Sequence, residues 1–324
     1  MDTLKEIKAP IINHIDSFQK YFNNSVNTPV PLLNKVMKYI IKRKGKQMRP
    51  MFVFFAADIA GEISDKTYRA ATLVELLHTA TLVHDDVVDD SNIRRGFFSI
   101  NALWKNKIAV LVGDYLLSRG LLLSLDNEDF DLLKVVSNAT REMSEGELLQ
   151  IEKARKLDIK EDIYFEIIRK KTASLIASCC ACGAASSGAA ADVIAKMHSF
   201  GENVGMAFQI KDDLFDYRND GLSGKPNGAD IKEKKMTLPL IFMLSELSYL
   251  DRRKVINTIK NHNNNPAKVS EVIKKVNNSG GIEYANKKMI EYKDRALKIL
   301  SDFPYSESRS SLEKLVVYTT ERKH

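Results

Sequence analysis

The chain has 324 residues, 44% of them hydrophobic and 28% charged, with a net charge of +7. A globular chain of this length buries roughly 75% of the surface it exposes when unfolded, so a sizeable core is available. Its eight prolines leave residues 51–225 without one. Proline breaks helix interiors, so this stretch permits long helices and argues against an all-β sandwich, which needs frequent Pro/Gly turns. The mild basic charge suits anionic partners, whether nucleic acid, phosphates or an acidic membrane surface, without choosing among them.

Residues 1–29 have mixed helical periodicity and end at the Pro29-Val30-Pro31 break, reading as an N-terminal helical extension. The opening MDTLKEIKAPIINHI carries charges where a signal peptide needs an apolar core. No window approaches roughly 18 uninterrupted apolar residues, so a soluble, cytoplasmic protein is expected, with peripheral membrane contact left open. A basic helix is predicted over 32–44. From Pro50, MFVFFAADIAG reads as a buried helix ending at Gly61, and Asp65 is the candidate cap of a long helix with an acidic end. A loop with Arg94-Arg95-Gly96 follows. Further helices are predicted over 99–106, 108–125, 129–151, 161–187, 190–219, 236–246, 250–261, 267–278, 281–300 and 305–322.

The fold class predicted is all-α, one large helical bundle forming a single domain over 1–324. The segment 173–191, ASLIASCCACGAASSGAAA, predicts close helix–helix approach through small residues. Cys179, Cys180 and Cys182 crowd into it, which reads as buried free thiols in a reducing compartment rather than a zinc site.

A duplicated acidic pattern carries the chemistry. Asp85, Asp86 and Asp89 close one apolar helical run, and Asp212, Asp213 and Asp216 close another. Residues i and i+4 share a helix face, so each triplet is a dense patch of oxygen ligands that repel one another unless a cation lies between them. Mg²⁺ accepts one or two carboxylates together with water and substrate phosphates. Two such patches suit the clamping of one polyphosphate between facing helices. A lone triplet would more simply be a solvated helix end, but a buried helix has no structural need for three acids twice over. Cations accompany them: Lys46 and Arg49 upstream, Arg94 and Arg95 after the first triplet, Lys171 mid-chain, and Lys225 and Lys235 after the second. Arginine grips phosphate through a planar fork and lysine as a point charge. Together they describe a site for two anionic groups.

The runs LLHTATLVHDDVVDDSNIRRG, VLVGDYLLSRG and FQIKDDLFDY…GK…KKMTLPL resemble the trans-isoprenyl diphosphate synthases, the polyprenyl synthetase family, and look most like its bacterial long-chain, octaprenyl-type branch. The resemblance covers about residues 30–320. It implies the isoprenoid synthase fold, a helical bundle around a central apolar cavity. It also implies Mg²⁺-dependent, head-to-tail condensation of isopentenyl diphosphate onto an allylic diphosphate, farnesyl or geranylgeranyl, with the long product destined for quinone side chains. Asp85, Asp86, Asp89, Asp212, Asp213 and Asp216 would hold three Mg²⁺ ions per site. Arg94, Lys171, Lys225 and Lys235 would contact the allylic diphosphate. Lys46, Arg49, His78 and Arg95 would hold isopentenyl diphosphate, and Thr172 and Gln209 would lie beside the reacting carbons.

One departure is that Lys44 and Gln47 replace the first Gly and first Arg of the family's Gly-Gly-Lys-Arg-x-Arg-Pro run. Ala80 and Thr81 lie about one turn before Asp85, where short-chain relatives tend to carry bulky aromatics. Small residues there imply an open floor, with Leu121, Leu122 or Met143 as candidate stops. The resemblance further implies a homodimer and possible peripheral membrane contact for product release. The rivals are a short-chain farnesyl or geranylgeranyl synthase, a terpene cyclase with no use for Lys46, Arg49 and Arg95, and a non-catalytic subunit of a heteromeric synthase, in which the triplets would be eroded. Nucleic-acid binding has no aromatic-interleaved basic face behind it.

Overall fold

Small and straight-chain residues dominate the long proline-free stretch, and they form helices nearly throughout. The structure is a computed structural model that describes residues 2–42, 45–94, 96–217 and 228–321. In chain order the helices are α1 (Asp2–Lys8), α2 (Ile12–Ser25), α3 (Pro31–Lys42), α4 (Met48–Ala60), α5 (Asp65–Val88), α6 (Ile100–Leu125), α7 (Phe130–Lys156) and α8 (Glu161–Ile168). A π-helical turn, Arg169–Ala173, leads into α9 (Ser174–Ser186). Then follow α10 (Ala191–Phe215), α11 (Ala229–Lys232), α12 (Leu238–Glu246), α13 (Tyr249–Asn261), α14 (Pro266–Asn277), α15 (Gly281–Ser301) and α16 (Glu307–Glu321). The expected all-α class is the one observed.

Three details differ from expectation. Arg94 and Gly96 lie not in an open loop but in a minimal antiparallel hairpin, β1 (Ile93–Arg94) and β2 (Phe97–Phe98), with Arg94 opposite Phe97. Gly96 supplies the positive φ of 79° that the tight turn needs. The residue capping α5 is Ser64 rather than Asp65, and the Ser64 backbone N–H donates to Thr67 Oγ1 at 3.1 Å. The helix expected over 161–187 is interrupted by the π-helical turn.

The chain groups into two compact units, each drawn from separate stretches: residues 1–140, 178–198 and 303–312 in the first, and 141–177, 199–302 and 313–324 in the second. In the first unit α5 packs along α6 and against α4 and α2. α4 is buried over Pro50–Ala57 because its apolar residues leave no polar face. Gly183 of α9 lies so close to Val53 and Ala56 of α4 that a Cβ would collide with both, the small-residue packing expected of this segment. Cys179, Cys180 and Cys182 are buried free thiols, and burial pushes Cys179 up to about 12. α6 is the one described helix long and apolar enough to cross a membrane by length and composition. Only a third of its most apolar window is buried. Lys105 breaks its helical geometry (φ 70°, ψ 160°), at the boundary expected between 99–106 and 108–125. The second unit has its own apolar core, built from α8, α10, α12, α14 and α15 around residues such as Ile210, Leu240 and Val276.

Candidate active site

In the second unit, the C-terminal end of α10 presents its acids in different directions. Asp212 is exposed, whereas Asp213 and Asp216 are buried. Asp213 is the hub of a polar chain. Thr172 Oγ1, on the π-helical turn, donates to Gln209 Oε1 at 2.7 Å, and Gln209 Nε2 donates to Asp213 Oδ1 at 2.8 Å. Tyr164 of α8 donates its hydroxyl to Asp213 Oδ2 at 2.7 Å. Burial drives the Asp213 pKa up to about 8, and the neighbouring Asp230 and Asp212 carboxylates push the same way, while the hydrogen bonds from Tyr164 and Gln209 oppose them. Burial and the nearby Asp213 also hold the Tyr164 hydroxyl well above its ordinary value, so Tyr164 stays a donor.

These groups line a cavity of about 250 Å³ that also receives Lys171, Lys235, Asp216, Asp230 and the apolar side chains of Ile168 and Phe215. Lys171 Nζ is paired with Glu147 and donates to Gln150 Oε1 at 3.3 Å. Lys235 is paired with Glu233. Burial lowers the Lys235 pKa, but the hydrogen bond to Glu233 and the surrounding carboxylates more than offset that, leaving it raised and the amine charged.

The π-helical turn that carries Lys171 and Thr172 is gripped by two glycines. A Cβ on Gly146 of α7 would stand 2.8 Å from the Lys171 amide nitrogen, and one on Gly205 of α10 would stand 2.8 Å from Ala173 Cβ. Neither helix could approach the turn this closely with a larger residue, so the two glycines set where the turn sits. Local π-helical geometry recurs at functional sites because it re-aims side chains.

The first unit holds the other predicted residues. Asp85 and Asp89 are exposed at the end of α5, while Asp86 is buried. The Asp86 carbonyl accepts from Asn101 Nδ2 at 3.1 Å and from the Ser91 amide at 2.9 Å, which ties the acidic end to the start of α6. Arg49 is half-buried and faces Glu75 of α5, with Nε–Oε1 and Nη2–Oε2 both at 3.3 Å. Lys46 is exposed just before α4, beside Gln47, which adopts the left-handed conformation (φ 57°). His78 is half-buried on α5 and its carbonyl accepts from Thr81 Oγ1 at 2.9 Å. Ala80 is fully buried in a core with Leu76, Val112 and Leu116. Leu121 and Leu122 are exposed on α6, and in the second unit Met143 of α7 is half-buried. Arg95 and Lys225 lie outside the described residues, and only the backbone of Arg94 is described.

A polyprenyl synthetase family model matches residues 30–276. The all-trans-nonaprenyl-diphosphate synthase (geranyl-diphosphate specific) of Rhodobacter capsulatus is 37% identical over 324 residues, covering 99% of each chain. Component 2 of the heptaprenyl diphosphate synthase of Geobacillus stearothermophilus is 31% identical, again over 99% of each chain. A solved decaprenyl diphosphate synthase from Rhodobacter capsulatus superposes with a TM-score of 0.93 at 32% identity, covering 99% of both chains. The chain belongs to the polyprenyl synthetase family.

It is thus a prenyltransferase, and its carboxylates fit the Mg²⁺ on which such enzymes generally depend. Each triplet sits at a helix C-terminus, where the macrodipole is already negative and further carboxylates are disfavoured without a cation. Burial first, and the neighbouring Asp230 and Asp212 charges after it, raise the proton affinity of Asp213. Among the described residues, no three His, Cys, Asp or Glu side chains stand together as a closed metal cage. Mg²⁺ requires none, since it keeps waters and takes substrate phosphates.

Sequence reasoning missed Tyr164, Glu147, Gln150, Asp230 and Glu75 as neighbours of the predicted groups. Tyr164 sits in the apolar run EDIYFEII with no pattern to single it out. Asp230 lies well beyond the second triplet in the chain, and that distance in sequence gave no sign that its charge reaches Asp213.

Proposed function

We propose that the protein is a long-chain trans-polyprenyl diphosphate synthase that elongates an allylic diphosphate, such as farnesyl or geranylgeranyl diphosphate, with isopentenyl diphosphate. The observation carrying this reading is the Thr172–Gln209–Asp213–Tyr164 chain in a cavity that joins paired lysines, carboxylates and apolar walls. It supplies what an ionising diphosphate needs: charge for the leaving group and dry surroundings for the carbon left behind.

Asp85, Asp86, Asp89, Asp212, Asp213 and Asp216 would hold Mg²⁺, three ions per site on this reading, which would supply positive charge to the diphosphate oxygens. Lys171 and Lys235 exchange Glu147 and Glu233 for diphosphate oxygens and stabilise the charge that grows as the allylic C–O bond breaks. Thr172 and Gln209, fixed to one another and to Asp213, border the carbon end of the substrate. Lys46, Arg49, His78 and Arg95 bind isopentenyl diphosphate so that its double bond is aimed at the allylic carbon. The new C–C bond forms, and the proton lost from the adjacent carbon passes to the released diphosphate. Ile168 and Phe215 exclude water that would quench the cation.

The small, buried Ala80 and neighbouring Thr81 favour a long product over a farnesyl or geranylgeranyl product. Both aspartate triplets are intact, which favours a catalytic chain over the partner subunit of a heteromeric synthase. The exposed apolar face of α6, with Leu111, Leu121, Leu122 and Leu125, supports a homodimer, to be checked by light scattering. A cytoplasmic location completes the reading. Diphosphate release should require both isopentenyl and allylic substrates. Release from the allylic substrate alone, at an undiminished rate, would point to a cyclase.

A further inference from the structure

Residues 17–57 and residues 91–113 contain no acid. The first unit brings them together. Lys35, Lys38 and Lys42 fall on one side of α3 at i, i+3 and i+7, all exposed, and the opposite side buries Val36 and Met37. The stems of these lysines, with Tyr39 and Trp104, line a shallow surface slot. The Tyr39 and Trp104 rings meet edge to face at 5.0 Å, and Tyr39 donates its hydroxyl to the Phe98 carbonyl at 2.8 Å, fixing the β1–β2 hairpin beside α3. The hairpin offers Ile93, Phe97 and Phe98 to solvent at 63%, 56% and 59% exposure. No carboxylate is paired with the three lysines among the described residues.

We propose that this face docks on a lipid bilayer bearing anionic headgroups. Each component has a place there. The lysines meet headgroup phosphates, and the aromatic hairpin enters the interfacial layer where such rings are favoured. Durable attachment to a membrane takes two signals, a basic patch and an apolar insert, and both are present within one unit. A nucleic acid would use the lysines but leave Ile93, Phe97 and Phe98 in water. Attachment rests on this surface alone, while its purpose, handing a long prenyl chain to a bilayer, rests on the long-chain reading above.

Co-sedimentation of the full chain with phosphatidylcholine vesicles, with and without phosphatidylglycerol, tests this without any catalysis. Binding is expected only with phosphatidylglycerol and should weaken as salt rises. Replacing Lys35, Lys38 and Lys42 together by Ala should reduce it on the order of a hundredfold. Separately, Phe97→Ser with Phe98→Ser should reduce it at least about tenfold, each set being checked for an unchanged unfolding midpoint. Equal binding to neutral vesicles, no binding at all, or full binding by both folded variants would overturn the proposal. So would a change in oligomeric mass in the lysine variant with vesicle binding intact, or tighter binding of RNA than of vesicles. The elongation assay in detergent solution reports separately on the proposed activity.

Discussion

Asp213 is where the geometry says most about chemistry. Its pKa is raised from 3.8 to about 8, chiefly by burial. The folded chain therefore holds this proton more tightly than the unfolded chain, and the group's contribution to stability is complete below the lower value. It is lost progressively as pH rises and is gone above the upper one. On the proposed role of Asp213 as a Mg²⁺ ligand, the metal displaces the same proton, so binding strengthens over that window. The rise in unfolding temperature caused by Mg²⁺ should be larger at about pH 8.5 than at about pH 6.5, and Asp213→Asn should abolish that difference. Thermal shift measurements at both pH values check this, and a pH-independent metal effect in the unaltered protein would contradict it. The acidic triplet itself was plain in the sequence, as were Thr172 and Gln209 through resemblance. Which acid turns inward was not, because that depends on Tyr164 reaching Asp213 from another helix. Spacing along one helix cannot show such a partner.

Among the elements, the π-helical turn was hidden by a sequence that reads as one helix from 161 to 187. No proline or glycine lies within Arg169–Ala173 to mark it. Its causes are Gly146 and Gly205, each more than 20 residues away in the chain but in contact with the turn. Gly205→Ala places a methyl against Ala173 and should force the turn aside. Overpacking of this kind costs about 1–3 kcal/mol, a fall of roughly 2–4 °C in melting temperature per kcal/mol for a domain of this class. Elongation should fall further than stability accounts for, because Lys171 and Thr172 move with the turn. Calorimetry alongside steady-state rates at a temperature well below melting checks it. An unaltered rate in a destabilised protein would show that the turn's position is not critical. The long helices were legible because their apolar periodicity spans many turns. The hairpin at Ile93–Phe98 was not, since two-residue strands are too short for any periodicity to register.

At the scale of the whole molecule, the all-α class followed from proline placement, and family membership followed from motifs spread over most of the chain. On the proposed long-chain reading, the small residues before the first triplet set product length. Ala80 is fully buried beside Leu76, Val112 and Leu116, so Ala80→Phe adds bulk one turn below Asp85. The product distribution should shift to shorter chains while condensation persists. An unchanged distribution from folded protein would remove Ala80 from the floor.

The proposed activity is repeated condensation by this chain alone. The most direct measurement incubates the purified protein with farnesyl diphosphate, isopentenyl diphosphate and Mg²⁺ and weighs the products by mass spectrometry. The expected result is a ladder of all-trans polyprenyl diphosphates, each one isoprene unit heavier than the last, ending well beyond geranylgeranyl. Folded protein that incorporates no isopentenyl diphosphate would contradict it and mark the chain as the partner subunit of a heteromeric synthase.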